Sequence, residues 1–363
     1  IPTMGRVEQF PEIFEYLMRL SIERPITLFI DEFQEFFKVN KSVYSDMQRI
    51  WDMYHTKAHI NLIVCGSIFS MMTKIFKDKK EPLYNRQTRF MSIKPFTPAV
   101  LKEIMAEYNP NYTSEDLLAL YSFTGGVAKY VQLLVDAGAT TKTKMLNHII
   151  KADSVFLGEG KAILIEEFGK DYGVYFSILS AIARGKTLRS EIEQIVGREI
   201  GGYLTKLEKE YEVITKNQPI FEKSSTKNVR YTIEDNFFTF WFRFIYKYNY
   251  MLEIENYDAV KTIINRDYET FSGKMLERYF KRVLMESKAY TRIGSWWDRK
   301  GENEIDIVAE NELNDEAVFI EVKRQEENFD AIALNEKVDV FTRATGKFKD
   351  YTVSQRGLSM TDM

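Results

Sequence analysis

Cysteine is almost missing from this chain, and with it a whole class of architectures. The 363 residues hold one cysteine, Cys65, three histidines and eight prolines. A single cysteine excludes an intrachain disulfide and argues against a cysteine-based zinc site. It fits a reducing, cytoplasmic setting. No apolar run approaches the ~20 residues of a spanning helix, so no membrane partner is expected. The strongest run, Phe237 to Tyr246, is interrupted by Arg243 and reads as a helix packed between domains. No signal peptide is evident. Neither sign of charge dominates, with 50 Lys and Arg against 53 Asp and Glu for a net charge of −3. A nucleic-acid partner must therefore rest on local patches. The sequence also lacks a Gly-x-x-x-x-Gly-Lys-Ser/Thr loop, the usual cradle for nucleotide phosphates.

What is present is an ordinary globular composition, 45% apolar and 14% aromatic, at a length that suggests two or three domains. Ile26–Ile30 and Ile60–Cys65 are short apolar runs that suit parallel strands buried on both faces. Val43, Met47, Ile50, Trp51 and Tyr54 recur between them at helical spacing. Strand, helix and strand make a βαβ unit, and a third strand is expected over Arg89–Ile93. Beyond Pro95 and Pro98 the chain reads as helical to about residue 150, with a capping-box pattern at Thr113–Asp116 and a helix stop at Gly125-Gly126. From 171 to 235, three helical patterns precede two short strands, the order of a winged helix. Thr187 is the expected cap of the second helix, and Ile200–Tyr211 the third. A last α/β region starts near Phe271. Its strands are expected at 290–293, 304–309, 317–322 and 351–353, with a helix over 331–345.

Two acidic patterns carry chemistry. Phe29-Ile30-Asp31-Glu32 ends an apolar strand in two acids. In nucleotide hydrolases such a pair orders the water shell of Mg²⁺ and polarises the attacking water. Ser67, just past the neighbouring strand, could face a γ-phosphate. The plainer readings are a loop start for the acids and a simple turn for Ser67.

Farther on, Asp306 lies on one strand and Glu321-x-Lys323 on the next. Period-2 alternation sets Asp306 opposite Ile305 and Ile307, and points Glu321 and Lys323 the same way. Two carboxylates there could hold Mg²⁺ or Mn²⁺, Lys323 could orient an attacking water, and Glu277 is a natural third acid. The competing reading is a solvated face with a Glu–Lys pair. His55 and His59, four apart, read as a solvated helix face. Trp296 and Trp297 read as packing residues that could also stack on bases. Lys206, Lys209, Lys216, Lys227 and Arg230 could meet DNA, but interleaved glutamates fit an intramolecular docking role equally well.

Several segments occur in the order of a known family: Asp31-Glu32-Phe33-Gln34, Val64-Cys65-Gly66-Ser67, Leu83-Tyr84-Asn85-Arg86, Thr124-Gly125-Gly126-Val127-Ala128-Lys129-Tyr130 and Phe240-Trp241-Phe242-Arg243-Phe244. Together they resemble the archaeal-type ATPases of the AAA+/STAND group, whose C-terminal extension is similar to the PD-(D/E)xK nuclease fold. The resemblance implies an α/β multidomain chain: a partial parallel-sheet ATPase core (1–95), a helical lid (96–165), a winged helix (166–250) and a restriction-endonuclease-like domain (251–363). It implies ATP and Mg²⁺ as cofactors, Asp31 as the Walker B magnesium residue and Glu32 as the hydrolytic base. It further implies Ser67 at the sensor-1 place, Gly125-Gly126 opening the lid helix near the nucleotide, and Arg86 as an arginine-finger or sensor candidate, against a plain salt bridge. Ala128 stands where the family usually has Pro. Without the phosphate loop these residues should bind ATP poorly, and the start at Ile1-Pro2-Thr3 suggests that the loop lies upstream. The expected role is ATP-dependent work on DNA, with Asp306, Glu277 and Glu321 as metal ligands and Lys323 as a catalytic residue. A homo-oligomer is a further expectation. The alternative is a nucleotide-dependent switch or scaffold whose distal domains only make contacts.

Overall fold

Alternation rather than continuous apolarity shapes the first sheet. In the computed structural model, which describes residues 9–223 and 225–363 and so not Ile1-Pro2-Thr3, β1 (Ile26–Ile30) and β2 (Ile60–Val64) pair in parallel with Ile30 beside Val64. Helix Ser42–Tyr54 connects them. Val43, Tyr44, Met47 and Ile50 from that helix pack with Phe14 and Met18 of helix Phe10–Leu20. Leu28, Ile30, Leu62 and Val64 join this cluster from the sheet. The opposite face corrects the expectation of burial on both sides: Phe29 is 58% exposed and Ile63 40%, and Thr27 and Asn61 point the same way. These apolar residues made each strand look two-sided, yet their side chains face outward and stay substantially exposed.

The strand expected at Arg89–Ile93 is irregular chain. Met91 and Ile93 are exposed, and Phe90 instead receives the Lys77 ammonium over its ring at 4.0 Å. Pro95 follows and favours extended chain just before it without supplying a ladder donor. This first compact unit spans Ile1–Ile93 and the second Lys94–Met363.

The second unit begins with helices Pro98–Tyr108, Ser114–Thr124, Ala128–Asp136, Lys142–Ile149 and Val155–Phe168. Thr113 and Asp116 form the expected reciprocal cap, and Ser114–Thr124 is buried on every side from Asp116 onward. Helices Tyr172–Ala183, Arg189–Val196 and Gly201–Lys209 precede an antiparallel hairpin of β3 (Ile214–Asn217) and β4 (Arg230–Ile233). The second of these helices is not capped by Thr187. Its cap position is Leu188, whose N–H donates to Glu191, because the Thr187 carbonyl accepts from Tyr231 of the hairpin.

Asn236–Phe240 runs into a wide π-helical turn, Trp241–Tyr246. Helix Tyr257–Ser287 follows, 31 residues long and starting well before Phe271. It lies on a four-stranded sheet of order β5 (Arg292–Trp297), β6 (Glu304–Asn311), β7 (Glu316–Val322) and β8 (Thr352–Leu358). Adjacent strands are antiparallel except β7 and β8, which are parallel. Leu276 and Phe280 of the long helix share a core with Ile307, Ile320 and Val322. The other sheet face packs Ile305, Val308 and Phe319 against Leu334, Val338 and Phe341 of helix Ala331–Thr345.

Candidate functional site

The first site forms where β1 and β2 end together. The Cys65 N–H donates to the Ile30 carbonyl and the Phe33 N–H to the Cys65 carbonyl, so the two loops leave side by side. That end of a parallel sheet is where ligands bind in open α/β folds. Asp31 accepts from the Cys65 thiol at 2.7 Å and from the Glu32 N–H at 2.9 Å. These bonds hold its carboxyl below the usual range. Glu32 takes a left-handed backbone, φ 48°, which aims its carboxylate back at the Gln34 amide and at Ser67 Oγ, 2.9 Å away. The same two donors lower its pKa. Both acids are exposed and ionised at neutral pH. A Cβ on Gly66 would collide with Gln34 Oε1 and with Met72. That Oε1 is buried without a partner. Asp31, Glu32 and Ser67 are therefore brought together, and Gln34 joins them; its amide was legible only as part of the Asp31–Gln34 segment. Two ionised oxygens fit the water shell of a magnesium ion. The donors that would cradle phosphate oxygens are not among these residues.

Arg86 is already engaged. Its guanidinium bridges Asp52 at 2.7 Å and donates to the Pro82 and Tyr84 carbonyls, which is the plain salt bridge rather than a free finger. Gly125 and Gly126 serve packing. Both have positive φ, 62° and 77°. A Cβ on Gly125 would press on Asp235 and Phe237, and one on Gly126 on the Phe96 backbone. These contacts make the pair a helix stop under close backbone approach.

The second site sits on the C-terminal sheet. Between the pairs Gly294–Val308 and Trp296–Ile305, Ser295 alone stands against both Asp306 and Ile307. This is a β-bulge, a device that re-aims side chains next to functional sites. It corrects the alternation argument: Ile305 and Ile307 end in different cores. Asp306 lines a cleft with Glu277, Lys274 and Glu304, and its Oδ2 accepts the Val322 N–H at 2.8 Å where the β6–β7 ladder opens.

Glu321, 7% exposed, alternates with Ile320 and Val322. One of its oxygens accepts from Lys323 at 2.8 Å and from Lys337 at 2.9 Å. Its other oxygen is buried without a partner. Glu277 pairs with Lys274 at 2.9 Å. Burial and the neighbouring Asp306 push the Glu277 carboxyl up to about 7. Burial and Glu321 likewise raise Asp306.

The expected acids are thus neighbours that repel one another, but they are not a ready cage: among the described residues no three side chains stand as a metal-binding group. Lysine ammoniums take the places expected for a cation at Glu321 and Glu277. An all-oxygen set with one orphaned buried carboxylate oxygen still fits a hard divalent ion. Lys274 and Lys337 escaped the sequence reading. Lys274 lies three residues before Glu277, a visible helical pairing; Lys337 depends on how its helix crosses the sheet. Trp296 packs on Phe341 and Trp297 donates to Asn228, so both are packing residues.

The fold and the first site define an ATPase-type α/β domain followed by a helical and α/β region. Residues 7–134 match the family described as an ATPase domain predominantly from Archaea, and residues 241–334 match one described as archaeal and bacterial proteins of unknown function. An uncharacterized protein of Methanocaldococcus jannaschii, MJECL04, is 33% identical over 311 residues, 82% of this chain and 67% of that protein. A second uncharacterized protein of that organism, MJ0424, is 34% identical over 56 residues, 15% of this chain and 54% of its own length. The Walker-type ATPase PABY2304 of Pyrococcus abyssi is similar in structure at a TM-score of 0.48 and 20% identity, over 65% of this chain and 68% of that one. The chain belongs to the archaeal-type ATPase family, with the C-terminal domain found in archaeal and bacterial proteins. No helix among the described residues is long and apolar enough to cross a membrane.

Proposed function

We propose that this chain carries the hydrolytic side of an ATP site and, on its C-terminal sheet, a metal-dependent phosphodiesterase centre acting on DNA. The observation that carries the first half is the pair Asp31–Glu32 at the carboxyl end of β1, with Glu32 bonded to Ser67 at the end of β2. Asp31 would hold the magnesium water shell. Glu32 would accept a proton from the attacking water, and its lowered pKa keeps it in the base form. Ser67 competes for that carboxylate and would release it when a γ-phosphate occupies its hydroxyl.

Support for the second half comes from the bulge at Asp306 and the facing Glu321. Asp306 and Glu321, with Glu277 behind them, would hold Mg²⁺ or Mn²⁺, and the ion would supply an activated water and a Lewis acid. Lys323, 2.8 Å from Glu321, would balance charge on the attacked phosphate. The three helices and hairpin of 172–233 are read as a winged helix, and the group as AAA+/STAND ATPases that act as homo-oligomers on DNA.

A second reading has its own support. The hairpin is anchored, since Ile220 N–H donates to the Ser295 carbonyl at 2.8 Å and Ile220 lies in the C-terminal core. Lys323 and Lys337 already neutralise Glu321. A nucleotide-dependent switch with a quiet nuclease-like domain would look like this. ATP hydrolysis by the full-length protein, compared with its Glu32→Gln variant, tests the first half. Hydrolysis lost in the variant supports it, and equal rates in both proteins overturn it. The second half is tested by metal-dependent DNA cleavage that Asp306→Ala abolishes.

A further inference from the structure

A cleft of about 890 Å³ runs between the β3–β4 hairpin, the long helix and the β5–β6 edge, and Asp306 and Glu277 lie in its wall. Seven basic side chains and four carboxylates line it. Three of the seven are neutralised: Lys274 by Glu277, Arg230 by Glu304 and Arg282 by Glu286. Lys216, Arg243, Arg278 and Lys281 have no carboxylate at ion-pair distance among the described residues.

Arg278 keeps only a hydrogen bond to Asn236 at 3.0 Å. Arg243, placed by the π-helical turn, donates to the Ala183 carbonyl at 3.4 Å and lies over the Phe244 and Phe271 rings, with no carboxylate at ion-pair distance among the described residues. Burial lowers the pKa of Arg243, Arg278 and Lys281. Half-buried cations without counter-ions are costly unless an anion joins them. Thr215, Asn217 and Thr232 of the hairpin add neutral polar groups to the same wall, Thr215 bonded to Glu234 and Asn217 to Thr232.

We propose that this cleft binds a single nucleic-acid strand through its phosphates and leads it to Asp306. The identity of the strand as substrate rests on the phosphodiesterase reading; its binding does not. A duplex is read by a convex helix or ribbon that enters a groove about 12 Å wide. Here the ribbon turns its polar face inward and its tip is fixed on β5, so the surface offered is concave. A flexible strand follows a cationic groove of that kind.

The test is fluorescence anisotropy of a labelled single-stranded oligonucleotide and of its duplex, with the full-length protein in EDTA. The single strand should bind tighter than the duplex. Lys281→Glu and Lys216→Glu should each weaken it roughly tenfold, and each should lower the salt slope by about 0.7. Lys144→Glu, at an exposed position of helix Lys142–Ile149 away from the cleft, should change nothing. Equal duplex binding, absence of strand binding, or loss in Lys144→Glu but not in the cleft variants would overturn the proposal. The two readings separate cleanly. Strand binding that depends on Lys281, without cleavage in any divalent metal, supports the cleft and removes the phosphodiesterase. Cleavage with strand affinity indifferent to Lys281 removes the cleft and leaves the phosphodiesterase.

Discussion

The two acidic sites stand on two sheets and have opposite electrostatics. Asp31 and Glu32 are exposed, hydrogen-bonded and held below their usual pKa range. Asp306 and Glu277 lie in a protein-walled cleft, repel each other and are held above it. The first pair is ionised and ready, and needs phosphate donors. The second is charge-stressed, and a cation or a lysine relieves it. The same residue type thus does two jobs, set by burial and by the partner on the next strand.

The largest effect that would sharpen this contrast is at the ready site. Glu32→Gln should cut ATP turnover of the full-length protein by ~10²–10⁴-fold without altering its melting temperature. Turnover and thermal scans on one preparation check both statements. A change in melting temperature would mean that Glu32 is structural.

Next comes the anchor of the stressed site. Ile220 belongs to the hairpin loop yet packs in the C-terminal core, against Gly294 where a Cβ would meet it at 2.9 Å. Ile220→Ala should cost about 2–4 kcal/mol in denaturant unfolding. A neutral result would detach the hairpin from the sheet.

Smaller effects follow from charge. Burial raises the Asp235 carboxyl to about 6 from an ordinary value of 3.8. The folded state therefore binds this proton more tightly than the unfolded chain. Its contribution to stability is full below about pH 4, falls as pH rises to about 6, and stays low above that. Asp235→Asn keeps an acceptor for the Phe238 N–H and should stabilise the protein by roughly 1–2 kcal/mol at pH 7.5, once partial exposure is discounted, and by little at pH 4. Unfolding curves at the two pH values decide it, and a gain confined to low pH would reverse the sign.

Asp306→Asn should raise metal-free stability by about 1 kcal/mol, because burial penalises the Asp306 charge and Glu321 repels it. Asp31→Asn should not, since Asp31 is stabilised as a carboxylate. Parallel thermal scans compare them. The smallest effect is at Arg86 and Asp52, a half-exposed pair. A double-mutant cycle there should give less than about 1 kcal/mol.

Much of the scaffold is written in local pattern. Thr113 with Asp116, Gly125, and the helix over Ala331–Thr345 follow from capping and periodicity, which act over a few residues. The parallel pair β1–β2 and the adjacency of the Asp306 and Glu321 strands follow instead from the rules for βαβ units and hairpins. What escaped depends on long-range placement. Phe29 and Ile63 are apolar but face outward, so composition overstated their burial. The bulge at Asp306 and Ile307 breaks the period of 2 by one residue, which no residue type announces. Lys337 meets Glu321 only because its helix crosses β7 at that height. At the first site, Asp31, Glu32 and Ser67 were legible because strand ends bring them together. At the second, the acids were legible and their lysine partners mostly were not.

We proposed that the stressed site uses a divalent cation to cut a phosphodiester. The direct measurement is cleavage of an end-labelled single-stranded oligonucleotide by the full-length protein, with Mg²⁺, with Mn²⁺ and with EDTA, beside Asp306→Ala and Lys323→Ala. Products are expected only with metal, and none from either variant while both still bind the strand. Intact oligonucleotide in every metal with the wild-type protein bound to it, or equal cleavage by Asp306→Ala, would contradict it.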